Sequence, residues 1–362
     1  MKIALVYDRI NKWGGAERIL LSLHKIYPQA PIFTSVYSRE AVWAKKIKII
    51  PSFIQRIPFA KKHHEYFASL MPLAFESFNF DSYDLVISVT SEAAKGIITS
   101  PKTRHICICL TPTRYLWSGY LQYFKNETFR FATSPLVNYL RRWDRIASNR
   151  PDSVVAISDN VKRRINKYYG RNSQVIYPPS DLLFKRAVSK KELEIDDYFL
   201  VVSRLVDYKN VDIAIKACNK LKLPLIIVGE GHEREKLMEM AGSTIQFVGK
   251  VSDAMLLRYY KNCRAFIFPG NEDFGITMVE AQHSGKPVIA LRSGGATEIV
   301  QSGKTGVFFD KPAVVSLVDV LKKFKPSRYN STACKRNAQR FTENKFMREI
   351  NILVQRELLQ VT

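Results

Sequence analysis

A chain of 362 residues is long enough for two domains, each with a core of its own. It is 46% hydrophobic, 25% charged and 12% aromatic, which excludes an intrinsically disordered chain. The formal charge is +23, with 27 basic against 12 acidic residues up to Ser180 and 29 against 21 beyond, a field that favours a polyanionic partner: nucleic acid, an anionic membrane face or a phosphorylated small molecule.

The longest stretch without a charged residue, 26–38, holds 13 residues and two prolines, short of the roughly 20 that span a bilayer. The chain enters a strand pattern at Ile3, without the shape of a secretory leader, so a cytoplasmic protein is expected. Residues 2–7 form an apolar run, residues 11–15 a turn with Gly14 and Gly15, and residues 16–26 carry helical spacing at Ile19, Leu20, Leu23 and Ile26. Further strand-like runs occupy 31–36, 85–89, 105–110 and 153–157. Within the third of these, Cys107 and Cys109 point to one face; with Cys218, Cys263 and Cys334 they make an odd, scattered set that reads as buried thiols. Pro178-Pro179 marks a linker. A second alternating series follows, with strands at 198–203, 225–228, 245–248, 265–269, 287–291 and 306–309 and helices at 211–220 and 254–261. Residues 338–359 read as one amphipathic helix built on Phe341, Phe346, Ile350, Val354 and Leu358. Strands alternating with helices imply parallel sheets covered on both faces, so the expected architecture is two doubly wound α/β domains and a cleft outside the carboxyl ends of their strands.

Three segments carry chemistry. In residues 269–280 a strand runs into a loop holding Glu272, then into a helix that begins near Phe274-Gly275 and carries Glu280 in its second turn. Gly275 lets a ligand approach the backbone, and the free N–H groups of Ile276 and Thr277 suit a phosphate or a sugar hydroxyl. An acidic pair favoured by the helix dipole is an equal reading. In residues 203–209, Arg204 and Lys209 follow a strand and precede a helix, where a guanidinium fork and a point charge would serve a diphosphate; ordinary solvated charge fits the segment alone as well. Gly14-Gly15 opens the first helix and could admit phosphate or sugar, though paired glycines mark turns more often than ligands. There is no G-x-G-x-x-G fingerprint and no P-loop.

Taken in order, Gly14-Gly15-Ala16-Glu17-Arg18, Ser203-Arg204 with Lys209-Asn210, Val248-Gly249, Glu272 and Glu280 with seven residues between them, Gly285-Lys286-Pro287-Val288 and Ser293-Gly294-Gly295 with Glu298 resemble family 4 glycosyltransferases. The resemblance spans nearly the whole chain and implies the GT-B fold: two Rossmann-like domains facing a central cleft, residues 1–177 binding the acceptor and 178–337 the donor, with a C-terminal helix, 338–362, crossing back to the first domain. Carried over, it assigns the donor diphosphate to Arg204 and Lys209, the donor sugar to Glu272 and the ribose to Glu280. Phe274, Gly275, Ile276 and Thr277 would line the sugar–phosphate site, Gly14 and Gly15 would approach the diphosphate, and Lys250 and Val251 would lie beside the base. It further implies retention of anomeric configuration, no metal, no cofactor beyond a nucleotide-sugar donor and no protein nucleophile.

Residues 110–117, Leu110-Thr111-Pro112-Thr113-Arg114-Tyr115-Leu116-Trp117, depart from the family at Leu110, where relatives place His. This version is most similar to bacterial mannosyltransferases of surface-polysaccharide assembly, which implies GDP-mannose as donor and an acceptor side built from Thr111, Arg114, Tyr115 and Trp117. Residues 53–80 mix Arg56, Lys61, Lys62, His63 and His64 with aromatics, which suits either an anionic membrane face carrying a lipid-linked saccharide acceptor or a core-packed helix pair. Arg141-Arg142 and 162–164 read as solvated faces. The competing readings are a basic nucleic-acid-binding protein, for which no module is present, and another GT-B enzyme such as a sugar phosphorylase or a nucleotide-sugar epimerase.

Overall fold

The computed structural model describes residues 1–11, 13–61, 63–185 and 197–359; Lys62 and the last three residues expected in the terminal helix lie outside the described residues. The chain divides into two compact units, Met1–Pro178 with Phe346–Thr362, and Pro179–Lys345.

In the first unit seven strands, β1 (Ile3–Tyr7), β2 (Ile32–Thr34), β3 (Ile49–Pro51), β4 (Leu85–Thr90), β5 (Arg104–Cys109), β6 (Ser153–Ala156) and β7 (Gln174–Val175), form one sheet in the order β3-β2-β1-β4-β5-β6-β7. In the second, β8 (Phe199–Val202), β9 (Leu225–Val228), β10 (Ile245–Gly249), β11 (Ala265–Phe268), β12 (Val288–Leu291) and β13 (Gly306–Phe309) run β10-β9-β8-β11-β12-β13. Neighbouring strands in both sheets are parallel. Each unit is therefore a doubly wound α/β fold of the Rossmann kind, and the central strands are buried on both faces, which is why they read as continuous apolar runs. Each sheet reverses its winding at one place, between β1 and β4 in the first unit and between β8 and β11 in the second. The crevice at such a reversal is where ligands of open α/β sheets bind.

The terminal segment departs from the expected single helix. A helix Ser331–Ala338 runs into a 3-10 turn, Gln339–Phe341; Thr342 is extended (φ −80, ψ 155), and a new helix, Glu343–Leu359, follows. Hydrogen bonds from Ser180 N to Phe341 O (3.0 Å) and from Glu343 N to Asp181 Oδ1 (2.7 Å) hold the break, so Phe341 stays with the second unit while Phe346, Ile350 and Val354 are buried residues of the stretch that belongs to the first.

Residues 53–80 are 3-10 turns and one short helix, with two faces. Ile54, Ala60, Met71, Ala74, Phe75 and Phe80 enter the core beneath β1 and β4, whereas Phe59 and Tyr66 stand about four-fifths exposed, at 80% and 82%. Of the two histidines there, His64 is buried and His63 stacks on Tyr66.

All five cysteines are free and buried. Burial pushes the thiols of Cys107 and Cys334 up to about 11 and those of Cys218 and Cys263 to about 12, so these four stay protonated at neutral pH and unreactive. Ellman's reagent should label the native protein negligibly and titrate five thiols once the chain is unfolded; a thiol that reacts at once in the native protein contradicts this packing.

Candidate functional site

In the second unit the chain leaves β8 as the loop 203–210 and leaves the adjacent β11 as the loop 269–275, so both loops emerge at the reversal point. Lys209, buried at 8% exposure, ends a 3-10 turn and makes an ion pair with Glu272, 63 positions later in the chain. A buried ammonium needs such a partner, because the uncompensated charge is costly. Lys209 also lies 5.0 Å over the ring of Tyr208, whose hydroxyl accepts a 2.5 Å hydrogen bond from Arg204 Nη2. The sequence-predicted trio Arg204, Lys209 and Glu272 is thus linked through Tyr208, a residue that sequence reasoning passed over. Arg204 itself is exposed.

The loop carrying Glu272 is fixed by glycines of a third strand end. Gly294 and Gly295 follow β12, and a Cβ on either would meet backbone: Glu272 O for Gly294, the Phe274 carbonyl and Cα for Gly295. Gly295 N donates to Glu272 O at 2.9 Å. Gly275 adopts φ +101 as the residue before the helix Ile276–His283, a conformation that L side chains rarely adopt. It offers no capping side chain, so the first amides of the helix, those of Ile276 and Thr277, are open to an anion. Phe274 is buried edge-on to Phe341, centroids 5.4 Å apart.

Glu280, the fifth residue of that helix, is 1% exposed and accepts a 2.9 Å hydrogen bond from the hydroxyl of Tyr260. It is therefore turned into the unit, toward the helix Asp253–Asn262, and a ligand hydroxyl would have to reach it beside Tyr260. Lys250 and Val251 follow β10, exposed and half-buried; their neighbour Gly249 pairs with Gly229 N through its carbonyl at 2.9 Å. On the flank of the Arg204–Lys209 loop, Asp207, His232 and Glu233 bring one donor atom each within 4.8 Å of one another, though Lys236 already takes Glu233 at 2.7 Å.

In the first unit the reversal point is held by Asp8, directly after β1. It is 3% exposed and accepts from Thr90 Oγ1 (2.9 Å) and from the consecutive amides of Ser91, Glu92, Ala93 and Ala94 (2.6–3.0 Å). Burial, with Glu92, raises its pKa against the pull of these amides and of Arg9, which is ion-paired with Glu92. Gly14 is extended and Gly15 begins the helix Gly15–Ile26, whose Glu17 is buried and bonded by Tyr7 OH at 2.7 Å.

The segment after β5 is tied to a second buried carboxylate. Asp144 accepts from Thr113 Oγ1 (2.8 Å), Trp117 Nε1 (2.7 Å) and Tyr169 OH (2.7 Å) and pairs with Lys95 at 2.6 Å. Burial opposes the charge on Lys95, but Asp144 outweighs it and the ammonium's pKa ends above its usual value. Burial and Asp144 together push the Tyr169 phenol well up, which keeps it a donor. Of the sequence-predicted residues here, Trp117 is in this network, Thr111 is buried with an unpartnered Oγ1, and Tyr115 and Arg114 are half-buried. Burial raises the Tyr115 phenol well above its ordinary range. Leu110 follows β5 directly and is half-buried, its amide on Thr90 O at 2.7 Å.

Comparison with known proteins adds three findings. Residues 185–341, less than half of the chain, match the family Glycosyl transferases group 1. The O-antigen chain mannosyltransferase C of Escherichia coli is 26% identical over 170 residues (45% of this chain, 46% of that one), and a GDP-mannose-dependent alpha-mannosyltransferase of Mycolicibacterium smegmatis is 36% identical over 110 residues (30% and 29%). The chain thus spans about half or less of the length of these curated relatives. Among solved structures, Anabaena HepE in complex with UDP superposes with a TM-score of 0.72 at 19% identity, covering 98% of this chain and all of that one, a likeness of fold. The group 1 match falls within the second unit, and both sheets have GT-B counterparts.

The glycine contacts can be tested directly. Gly295 has ordinary helical dihedrals (φ −65, ψ −16), so Gly295→Ala adds only the clash with Phe274. It should destabilise the protein by about 1–3 kcal/mol, read as a lower midpoint of chemical denaturation. An unchanged midpoint would mean that the two loops are not in contact.

Proposed function

We propose, from the match of residues 185–341 to the group 1 glycosyl transferases, that this protein is a retaining glycosyltransferase of family 4. It moves a hexose from a nucleotide sugar onto a saccharide acceptor. The observation that carries the reading is the Lys209–Glu272 pair at the reversal point of the second sheet, beside the uncapped start of the helix Ile276–His283. In it, Arg204 and Lys209 neutralise the diphosphate, the amides of Ile276 and Thr277 bind its oxygens, and Glu272 binds hydroxyls of the sugar. Glu280 takes the ribose, and Lys250 and Val251 flank the base. An acceptor hydroxyl attacks the anomeric carbon on the face that the nucleoside diphosphate leaves. The bond to the leaving oxygen breaks with its electron pair, and the hydroxyl proton passes to the departing phosphate. Fixed cations and helix amides aimed at the developing charge do what a metal would otherwise do.

The first unit is assigned to the acceptor, with Thr111, Arg114, Tyr115 and Trp117 on its side of the reaction. Mannose from GDP-mannose is the favoured donor, because the relatives named above are mannosyltransferases. A UDP-sugar is the second reading, favoured by the UDP and UDP-glucose complexes of Anabaena HepE. The acceptor is taken to be lipid-linked and the protein to work at the cytoplasmic membrane face; no described helix is long and apolar enough to cross a membrane.

A panel of GDP- and UDP-sugars scored by thermal shift and by hydrolysis tests the reading, since a ligand that binds only the folded state raises Tm by mass action. One nucleotide sugar should stand out, and a flat panel rejects the proposal. Lys209→Ala should slow transfer by roughly 10²–10³, the scale of one preorganised charge contact. Glu280→Ala should weaken nucleotide binding, and Glu272→Ala should mainly lower the transfer rate. Normal turnover by all three overturns the site assignment. Activity should survive EDTA; loss on chelation would turn attention to Asp207, His232 and Glu233.

A further inference from the structure

Beside Trp117 of the acceptor side, the first unit holds a cationic pocket whose arginines the proposed reaction does not use. The helix Glu127–Ser148 carries Arg141, Arg142 and Arg145 on one turn. Positions three and four apart on a helix are surface neighbours, so Arg145 is crowded by both of the others and like charges repel there. With Trp117, Asn138 and Ile146 they line an open cavity of about 430 Å³, within the size range of small-molecule sites.

The lining contains no carboxylate. Asp144, between the arginines in sequence, faces inward at 1% exposure and is taken by Lys95, Thr113, Trp117 and Tyr169. Among the described residues Arg142 and Arg145 have no acidic partner. No side chain of the lining supplies them with a counter-charge.

The walls are rigid. Arg141 commits Nε to Leu116 O at 2.7 Å and lies 4.4 Å over the Tyr120 ring, which aims its guanidinium. Trp117 is fixed by its indole N–H on Asp144 and by stacking on Tyr168 at 5.3 Å, and Arg145 sits 4.9 Å over its ring. Lys167, 5.5 Å over the outer ring of that stack, extends the positive rim. Planar guanidinium forks held in place by aromatic rings match the oxygens of a carboxylate or a phosphate, and three of them side by side suit the higher charge of a phosphate.

We infer that the Arg141–Arg142–Arg145 pocket is a binding site for the phosphate or diphosphate group of a second ligand, separate from the donor diphosphate at Lys209. The sequence reading of Arg141-Arg142 as a solvated face leaves this unpaired crowding unexplained.

The test compares the wild type with Arg142→Ala/Arg145→Ala. Inorganic pyrophosphate is titrated calorimetrically with GDP and UDP in excess to occupy the donor site, and a second arm measures co-sedimentation with phosphatidylcholine vesicles with and without phosphatidic acid. The double variant should lose about tenfold or more in affinity, the scale of lost charge-assisted contacts, for pyrophosphate, for the phosphatidic acid vesicles, or for both. Loss confined to pyrophosphate identifies a soluble phosphate ligand; loss confined to vesicles identifies a lipid phosphate. Its Tm without ligand should be unchanged or higher, because a repulsion has been removed. Unchanged affinity in both arms, or a lower Tm that marks the arginines as structural, overturns the inference. A failed nucleotide-sugar panel with the pyrophosphate result intact would sink the proposed reaction and leave this site standing.

Discussion

The ion pair between Lys209 and Glu272 joins two loops that share nothing along the chain and meet only because β8 and β11 are neighbours in the second sheet. A lysine with so little solvent needs an anion, and a half-buried glutamate supplies it. The pair therefore does two jobs. It holds the loops in register in the empty protein, and it keeps an oriented cation where the open amides of the helix Ile276–His283 already favour negative charge. In the proposed reaction an arriving diphosphate would exchange one anionic partner for another, and the lysine would not need to be reoriented.

The first unit uses the same physics with different effect. Two of its buried carboxylates, Asp8 and Asp144, are saturated by donors from neighbouring segments. Neither faces a cation that is open to ligand. They shape loops: Asp8 folds the turn after β4, and Asp144 clamps the segment after β5 through Thr113 and Trp117. The charge that remains on that side is outward and basic, at Arg141, Arg142 and Arg145. Buried carboxylates as fixtures beneath an unmatched cationic surface is an economical way to build a rigid anion-seeking face.

The central strands were legible because burial on both faces writes an uninterrupted apolar run. The edge strands β3 and β7 were not; they are three and two residues long and only partly covered, so nothing separates Ile49–Pro51 or Gln174–Val175 from a loop. The terminal helix misled for the opposite reason. Phe341 and Phe346 continue the apolar pattern across Thr342, and the hydrogen bonds that break the helix come from Ser180 and Asp181, far away in sequence. Arg204, Lys209 and Glu272 could be named in advance because cations and carboxylates at strand ends are sparse and conspicuous. Tyr208 and Tyr260, which touch them or Glu280, could not, since a tyrosine in a helical or turn pattern looks like packing. Asp144 was hidden by its neighbours: it lies on the Leu140–Ala147 face of its helix, and only the fold shows that Lys95, Thr113 and Tyr169 converge there.

The way Asp8 holds its turn has a consequence for how this chain can drift. Four of its six donors are main-chain amides, at Ser91, Glu92, Ala93 and Ala94, beside the hydroxyls of Thr90 and Ser91. Every residue but proline supplies that N–H, so the shape of the turn is insensitive to which side chains occupy those four positions. Position 8 has no such latitude, because an asparagine there would present an NH₂ group to amides that need an acceptor. Among descendants of this sequence, variation should accumulate along the turn while the lone acid that organises it stays fixed.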